Sequence, residues 1–132
     1  MKIIRASDRP TRQGAASSFT GTVLQDPIIE DNDRAKAAVV SFQPGARTNW
    51  HTHPRGQTLY VLSGVGRAQL LGSPVLVLNA GDTLVIMPGE KHWHGAAPDH
   101  AMVHIAIHEA KDGKHIDWME PVTDADYSKA PG

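Results

Sequence analysis

The sequence has no cysteine in its 132 residues, which excludes disulfides and thiolate metal sites. Aromatic residues are scarce, with three Trp, two Tyr and two Phe, so few of its rings can be spread through a core. Charge of one sign is not in excess: the formal net charge is -1, no long basic stripe occurs, and nucleic acid is not an expected partner. No apolar run approaches the roughly 20 residues of a membrane span, so no membrane partner is expected either. The opening Met1-Lys2-Ile3-Ile4-Arg5-Ala6-Ser7-Asp8 lacks an apolar signal core. Together these features give the expectation of a soluble cytoplasmic protein that acts on a small molecule.

What the sequence does have is punctuation. Gly and Pro recur at short intervals, as at Gly21, Pro27, Pro44-Gly45, Gly56, Gly64, Gly66, Gly72, Pro74, Gly81, Pro88-Gly89 and Pro98. Short runs rich in Val, Ile, Leu and Thr lie between them: 37–42, 58–62, 75–78, 83–87 and 102–107. Short strands with regular turn signals predict an all-β sandwich or barrel, and one domain over residues 1–132. No central segment has a sustained helical period, and the acidic tail 121–127 has room for a short helix at most.

The sequence also has eight histidines. Side chains two apart on a strand share a face. His51 and His53 are two apart, and so are His92 and His94. His104 and His108 are four apart, with Ala106 between them. On strands of one barrel all six can point inward, and Gln57 joins them if the strand continues past Gly56. Burying so many imidazoles without partners is costly, and a metal would satisfy several at once. The remaining candidates read as structural. His100 in Pro98-Asp99-His100 and His115 after Asp112-Gly113-Lys114 fall on turns at the surface. Lys91 is a solvated charge. Trp50, Trp93 and Trp118 read as packing or interface residues, the first two facing away from the neighbouring histidines.

The stretch from Pro44-Gly45 through His51-Thr52-His53 to Gln57, closed by Gly64, resembles the first motif of the cupins, G-x5-H-x-H-x3,4-E-x6-G. Gln57 occupies the Glu position. The stretch from Gly81 through Pro88-Gly89-Glu90-Lys91-His92 resembles the second motif, G-x5-P-x-G-x2-H-x3-N, with Pro88 one residue late and Ala96 in place of Asn. The resemblance implies a cupin barrel, the double-stranded β-helix or jelly roll.

A narrower resemblance is carried by Trp50-His51-Thr52-His53-Pro54, by the run from Gly89 to Pro98 and by Asp117-Trp118-Met119-Glu120. These look like the bacterial cupin-fold hydroxynitrile lyases, manganese-dependent enzymes that cleave and form (R)-cyanohydrins such as mandelonitrile. Carried over by position, His51, His53, Gln57 and His92 fall on metal ligands. His94 and His104 fall on active-site histidines. Ala38 and Val40 fall on pocket-lining positions. Phe42 alternates with these two and extends the apolar wall. His108 stands where a related enzyme has Gln, and is an alternative base to His104. The resemblance implies a divalent metal, manganese, with iron, cobalt, nickel or zinc equally suited to such ligands. A homo-oligomer, dimer or tetramer, is expected as in other cupins. Two other functions stay open at this level: an oxygen-activating cupin of the dioxygenase type, and a cupin that binds a small molecule without turnover.

Overall fold

The computed structural model describes residues 1–30 and 32–132. Its strands in chain order are β1 (Arg12–Gln13), β2 (Phe19–Thr20), β3 (Val23–Ile29), β4 (Ala35–Phe42), β5 (Arg47–Thr48), β6 (His51–Thr52), β7 (Gln57–Leu70), β8 (Leu76–Asn79), β9 (Thr83–Ile86), β10 (His92–Ala96), β11 (Met102–Glu109) and β12 (Asp117–Trp118). One short helix, α1 (Asp124–Tyr127), lies in the tail, capped by the Thr123 side chain accepting from the Asp126 N–H. The all-β expectation holds. The strands form a curled antiparallel sheet in the order β1-β3-β4-β11-β7-β10-β5-β2, with β8 and β9 on β7 and with β6 joining β10 to β12.

Strand β7 ties the two halves of the barrel together. Its first part pairs with β11 and β9, and its second part with β10 and β8. The change of partner is centred on Gly64. There φ is +81°, and a Cβ would lie 1.9 Å from the Ala101 carbonyl oxygen, so only glycine fits. A bulge between Val103 and His104 in the β11 pairing accompanies the bend.

Antiparallel register sorts the inward residues of β4, β11 and β7 into layers. Phe42 and Met102 are level at the closed end, followed by Val40, His104 and Val61. The next layer is Ala38, Ala106 and Leu59, and Lys36, His108 and Gln57 form the outermost. Large side chains fill the closed end: Phe42, Val61 and Met102 are buried there in one core with Leu78. Two facing alanines cannot fill the layer above, so a cavity opens there.

A second core lies outside the barrel. Trp50, Val75, Trp93, Val122 and Tyr127 pack together under the C-terminal tail. The tail is fastened by the Tyr127 hydroxyl donating to the Ala96 carbonyl (2.5 Å) and by Arg47, which donates to the Val122 carbonyl (2.8 Å) and stacks on the Tyr127 ring. Every residue of β10 is therefore buried. His92 and His94 project into the barrel, while Trp93 projects into the second core and donates to Gln69 (3.0 Å). This matches the opposite facing of Trp50 and Trp93 from the histidines.

Gly64→Ala is expected to destabilise the fold by about 2 kcal/mol or more, through the positive φ and the clash with the Ala101 carbonyl. Thermal unfolding of the variant beside wild type measures this, and an unchanged Tm would contradict the bend described for β7.

Candidate metal centre and cavity

Each metal-site histidine owes its orientation to a backbone carbonyl. His51 Nδ1 is 2.8 Å from the Asn49 oxygen, and His92 Nδ1 is 2.9 Å from the Glu90 oxygen. His53 Nδ1 is 2.8 Å from the oxygen of His115, which lies on a distant loop. A carbonyl only accepts, so each Nδ1 carries the proton and each Nε2 presents a lone pair. One coordinating nitrogen from each of the three rings can be chosen so that all lie within 4.8 Å of one another. His53 Nε2 is buried and has no hydrogen-bond partner among the described residues. Three neutral imidazoles, each held by its other nitrogen, are the arrangement a divalent metal requires. Gln57 Oε1 lies 3.3 Å from His92 Nε2 and is placed to add an oxygen to the set.

Gln57 reaches this point by a different route from the one expected. Strand β6 ends at Thr52, and the chain turns through 53–56 with the Gly56 N–H bonded to the His53 carbonyl. Gln57 then enters on β7, facing the same space from another strand. The turn is tight enough that a Cβ on Gly56 would lie 2.4 Å from the Ile86 carbonyl oxygen.

All six histidines expected to face inward do so. His94 and His104 are buried, with His104 Nε2 3.0 Å from His94 Nδ1. The outer nitrogens of this pair, His94 Nε2 and His104 Nδ1, are buried and have no partner among the described residues. The His94 ring is 5.3 Å from that of His51, so the pair adjoins the three-imidazole site. His108 packs 4.7 Å from His53, next to Gln57 across the ladder.

Burial sets the charge state of these rings. Desolvation pushes His92, His104 and His108 down to about 4 and takes His51 and His94 well below the usual imidazole value, with neighbouring imidazoles adding to the effect at His51 and His94. The rings are therefore neutral near pH 7, as both metal binding and proton acceptance require.

The cavity above them holds about 190 Å³. An engineered apolar cavity of roughly 150 Å³ accommodates benzene, so one substituted aromatic ring fits. Ala38, Val40, Phe42 and Ala106 line it, as do His51, Gln57, His94, His104 and His108. Thus the three expected wall residues and the histidine pair do share one space.

The sequence reading missed several contributors. Trp118, read as packing or interface, lines the cavity with its ring 4.8 Å from His51 and 5.5 Å from Phe19. His115, read as a surface residue, is half-buried 5.3 Å from His108, and its carbonyl holds His53. Thr48 fixes β10 by accepting from the His94 N–H (3.2 Å). Lys36 also lines the space, and its even-numbered spacing from Ala38, Val40 and Phe42 was the available signal. His100 is exposed beside Asp99, as expected. Lys91 is more than a solvated charge, since it pairs with Glu120 and lies 5.7 Å from the Trp50 ring.

Comparison with known proteins places these features in context. The model of the cupin domain family matches residues 38–108. The (R)-mandelonitrile lyase of Granulicella tundricola is 52% identical over 131 residues, covering 98% of this chain and all of the relative. A cupin-like protein from Thermotoga maritima superposes with a TM-score of 0.86 at 40% identity, covering 90% of this chain and 92% of that one. The polyketide cyclase RemF from Streptomyces resistomycificus shares the fold at a TM-score of 0.74 and 16% identity, over 96% of this chain and 90% of its own. Among the described residues no helix is long and apolar enough to cross a membrane.

Two outcomes follow from this geometry. In metal-free protein the buried imidazoles stay neutral down to about 4, whereas in the unfolded chain they protonate near 6.5. Between those values the unfolded state binds more protons, so stability falls as pH falls. Tm measured from pH 7.5 to 4 should be flat above about 6.5 and drop steadily below it; a flat profile throughout would contradict the buried neutral rings. Ala106→Leu should fill the cavity. It should weaken binding of a small aromatic ligand such as benzyl alcohol, measured by calorimetry, by about tenfold or more, with Tm held or raised.

Proposed function

The chain belongs to the cupin domain family, and from that membership we propose that it is a metal-dependent hydroxynitrile lyase, a carbon–carbon lyase acting on (R)-cyanohydrins such as mandelonitrile. The observation that carries this reading is the buried His94–His104 pair, set between the three-imidazole site and a cavity sized for an aromatic ring. The likeness to the Granulicella tundricola lyase supports the choice of reaction.

Cyanohydrin cleavage removes the hydroxyl proton, converts the C–O bond to a carbonyl and releases the C–C electron pair with cyanide. The proton must then reach the cyanide carbon or nitrogen to give hydrogen cyanide. The histidine pair holds the means for both transfers. With His104 Nε2–H donating to His94 Nδ1, His104 Nδ1 is bare and His94 Nε2 is protonated. His104 Nδ1 takes the hydroxyl proton. Its Nε2 proton passes to His94 Nδ1, and His94 Nε2 gives its proton to cyanide. Each ring ends neutral in its other tautomer, which is the state needed for addition of hydrogen cyanide to an aldehyde. The depressed basicity of both rings favours this neutral exchange over a standing imidazolium. His108 is a second base at the outer side of the same space.

Ala38, Val40 and Phe42 form the wall against which an aryl ring packs. In this reading His51, His53, Gln57 and His92 hold a divalent cation, manganese first and iron, cobalt, nickel or zinc as alternatives. Bound there, it supplies Lewis-acid stabilisation of negative charge. Gln57 is neutral where cupins of the first motif have a carboxylate, so the protein cancels none of that charge. Exposed Tyr60, Leu62, Val85 and Met87 on β7 and around β9 support assembly into a homo-oligomer, dimer or tetramer.

The test is (R)-mandelonitrile cleavage and metal content measured on the same sample, in air and under nitrogen. Turnover should need the metal and be indifferent to oxygen. His104→Ala should keep the metal and lose about 10²–10⁴ in kcat. Full activity in metal-free protein, or in the metal-loaded variant, would overturn the mechanism, and dependence on oxygen would favour dioxygenase chemistry.

A further inference from the structure

The outermost inward layer of the barrel runs Gln57, His108, Lys36 across three adjacent strands in register. Lys36 is thus on the same face as Ala38, Val40 and Phe42, and it lines the cavity. Lys36 is exposed at the mouth of the barrel, and no carboxylate pairs with it among the described residues. Across the ladder it faces His108, and His115 lies behind that ring. Glu30, the only carboxylate among the described residues lining the cavity, is held by both terminal nitrogens of Arg12, at 2.9 and 2.6 Å. Among the described residues the rim thus presents the Lys36 ammonium without a paired carboxylate, beside two imidazoles and a Glu30 carboxylate engaged by Arg12.

We infer that this rim is a carboxylate-binding subsite, in which Lys36 and the adjoining His108 hold an anionic substituent of the substrate. The inference rests on the proposed lyase reading for the identity of the reacting end and adds the substrate class: an aromatic cyanohydrin or aldehyde bearing a carboxylate remote from the reacting carbon. Geometry sets the position of that group. Lys36 and Gln57 are two strand spacings apart, about 10 Å between Cα atoms, and the lysine stem shortens the span that a ligand must bridge. A benzylic carbon near Gln57 with a carboxylate at the para position bridges it, with the ring lying over Ala38 and Ala106. The alanine layer and the lysine are then two parts of one specificity device. The small residues admit the ring, and the cation selects its far end.

Binding to the metal-loaded protein tests this without turnover. The ligands are 4-carboxybenzyl alcohol and its neutral isostere 4-nitrobenzyl alcohol, titrated by calorimetry into wild type, Lys36→Gln and Lys36→Arg. A charge-assisted contact at a partly exposed rim predicts about tenfold tighter binding of the carboxylate. That preference should shrink as salt is raised, vanish in Lys36→Gln and persist in Lys36→Arg. Equal affinities in wild type would overturn the inference. So would a preference that survives Lys36→Gln, since the carboxylate would then be bound at the metal instead. Thermal unfolding of each variant confirms that the fold is intact. Mandelonitrile cleavage by wild type separates the two readings: its absence sinks the lyase assignment, whereas cleavage without carboxylate preference sinks only the subsite.

Discussion

Three backbone carbonyls, those of Asn49, Glu90 and His115, determine what the barrel can do. Each accepts from the Nδ1 of one metal-site histidine and so turns the Nε2 lone pair of that ring toward a shared point. Two of the carbonyls lie two residues before their histidines and come with the local chain. The third comes from the loop at 115, far away in sequence, which makes the loop part of the site. Desolvation keeps the rings neutral, and the missing proton on each Nε2 leaves a lone pair with few alternatives to a metal. The arrangement costs stability in acid, because burial and protonation of the same ring are incompatible.

Keeping the His92 ring against its carbonyl requires β10 to stay in place, and this is where the second core acts. Trp93 is anchored between Tyr127 and Gln69, the tail is fastened through Arg47 and Tyr127, and Thr48 binds the His94 N–H from the neighbouring strand. A strand packed on one side only would let His92 and His94 drift together. Packing on both sides fixes the rings of His92 and His94 relative to each other, since they lie two apart on one strand. Precision of about half an ångström in such constellations is set by the surrounding shell. Here that shell is the C-terminal tail.

Much of this was legible in the sequence because strand parity is a strict code. Spacings of two and four placed His51, His53, His92, His94, His104 and His108 on the inside, and the structure agrees. The spacing of Ala38, Val40 and Phe42 marked one wall by the same rule. Parity failed at Gln57, where a turn at Gly56 passes the residue from one strand to the next and the outcome is right for a different reason. It also said nothing of His115 and Trp118. Their role depends on where a late segment crosses the barrel mouth, a long-range contact that no local pattern encodes. Lys36 was within reach of the same code, two residues before Ala38, but a lysine at a strand end reads as solvated until register shows which residues stand beside it.

The electrostatics of the cavity follow from what its walls omit. Gln57 offers an amide where a carboxylate would have cancelled charge, and Glu30 is spent on Arg12. No other carboxylate lines the space among the described residues. The imidazoles are neutral, so a divalent cation held among them would keep its charge, in surroundings where apolar walls replace water on one side. Counter-charge must then come from the ligand, and cyanide, an alkoxide or a carboxylate would each provide it. A site built this way favours reactions that develop negative charge close to the metal and is indifferent to the sign of charge farther out, unless something at the rim chooses. Lys36 is the residue placed to choose, which makes the outer layer of the barrel the natural place for substrate selection and the inner layers the place for chemistry.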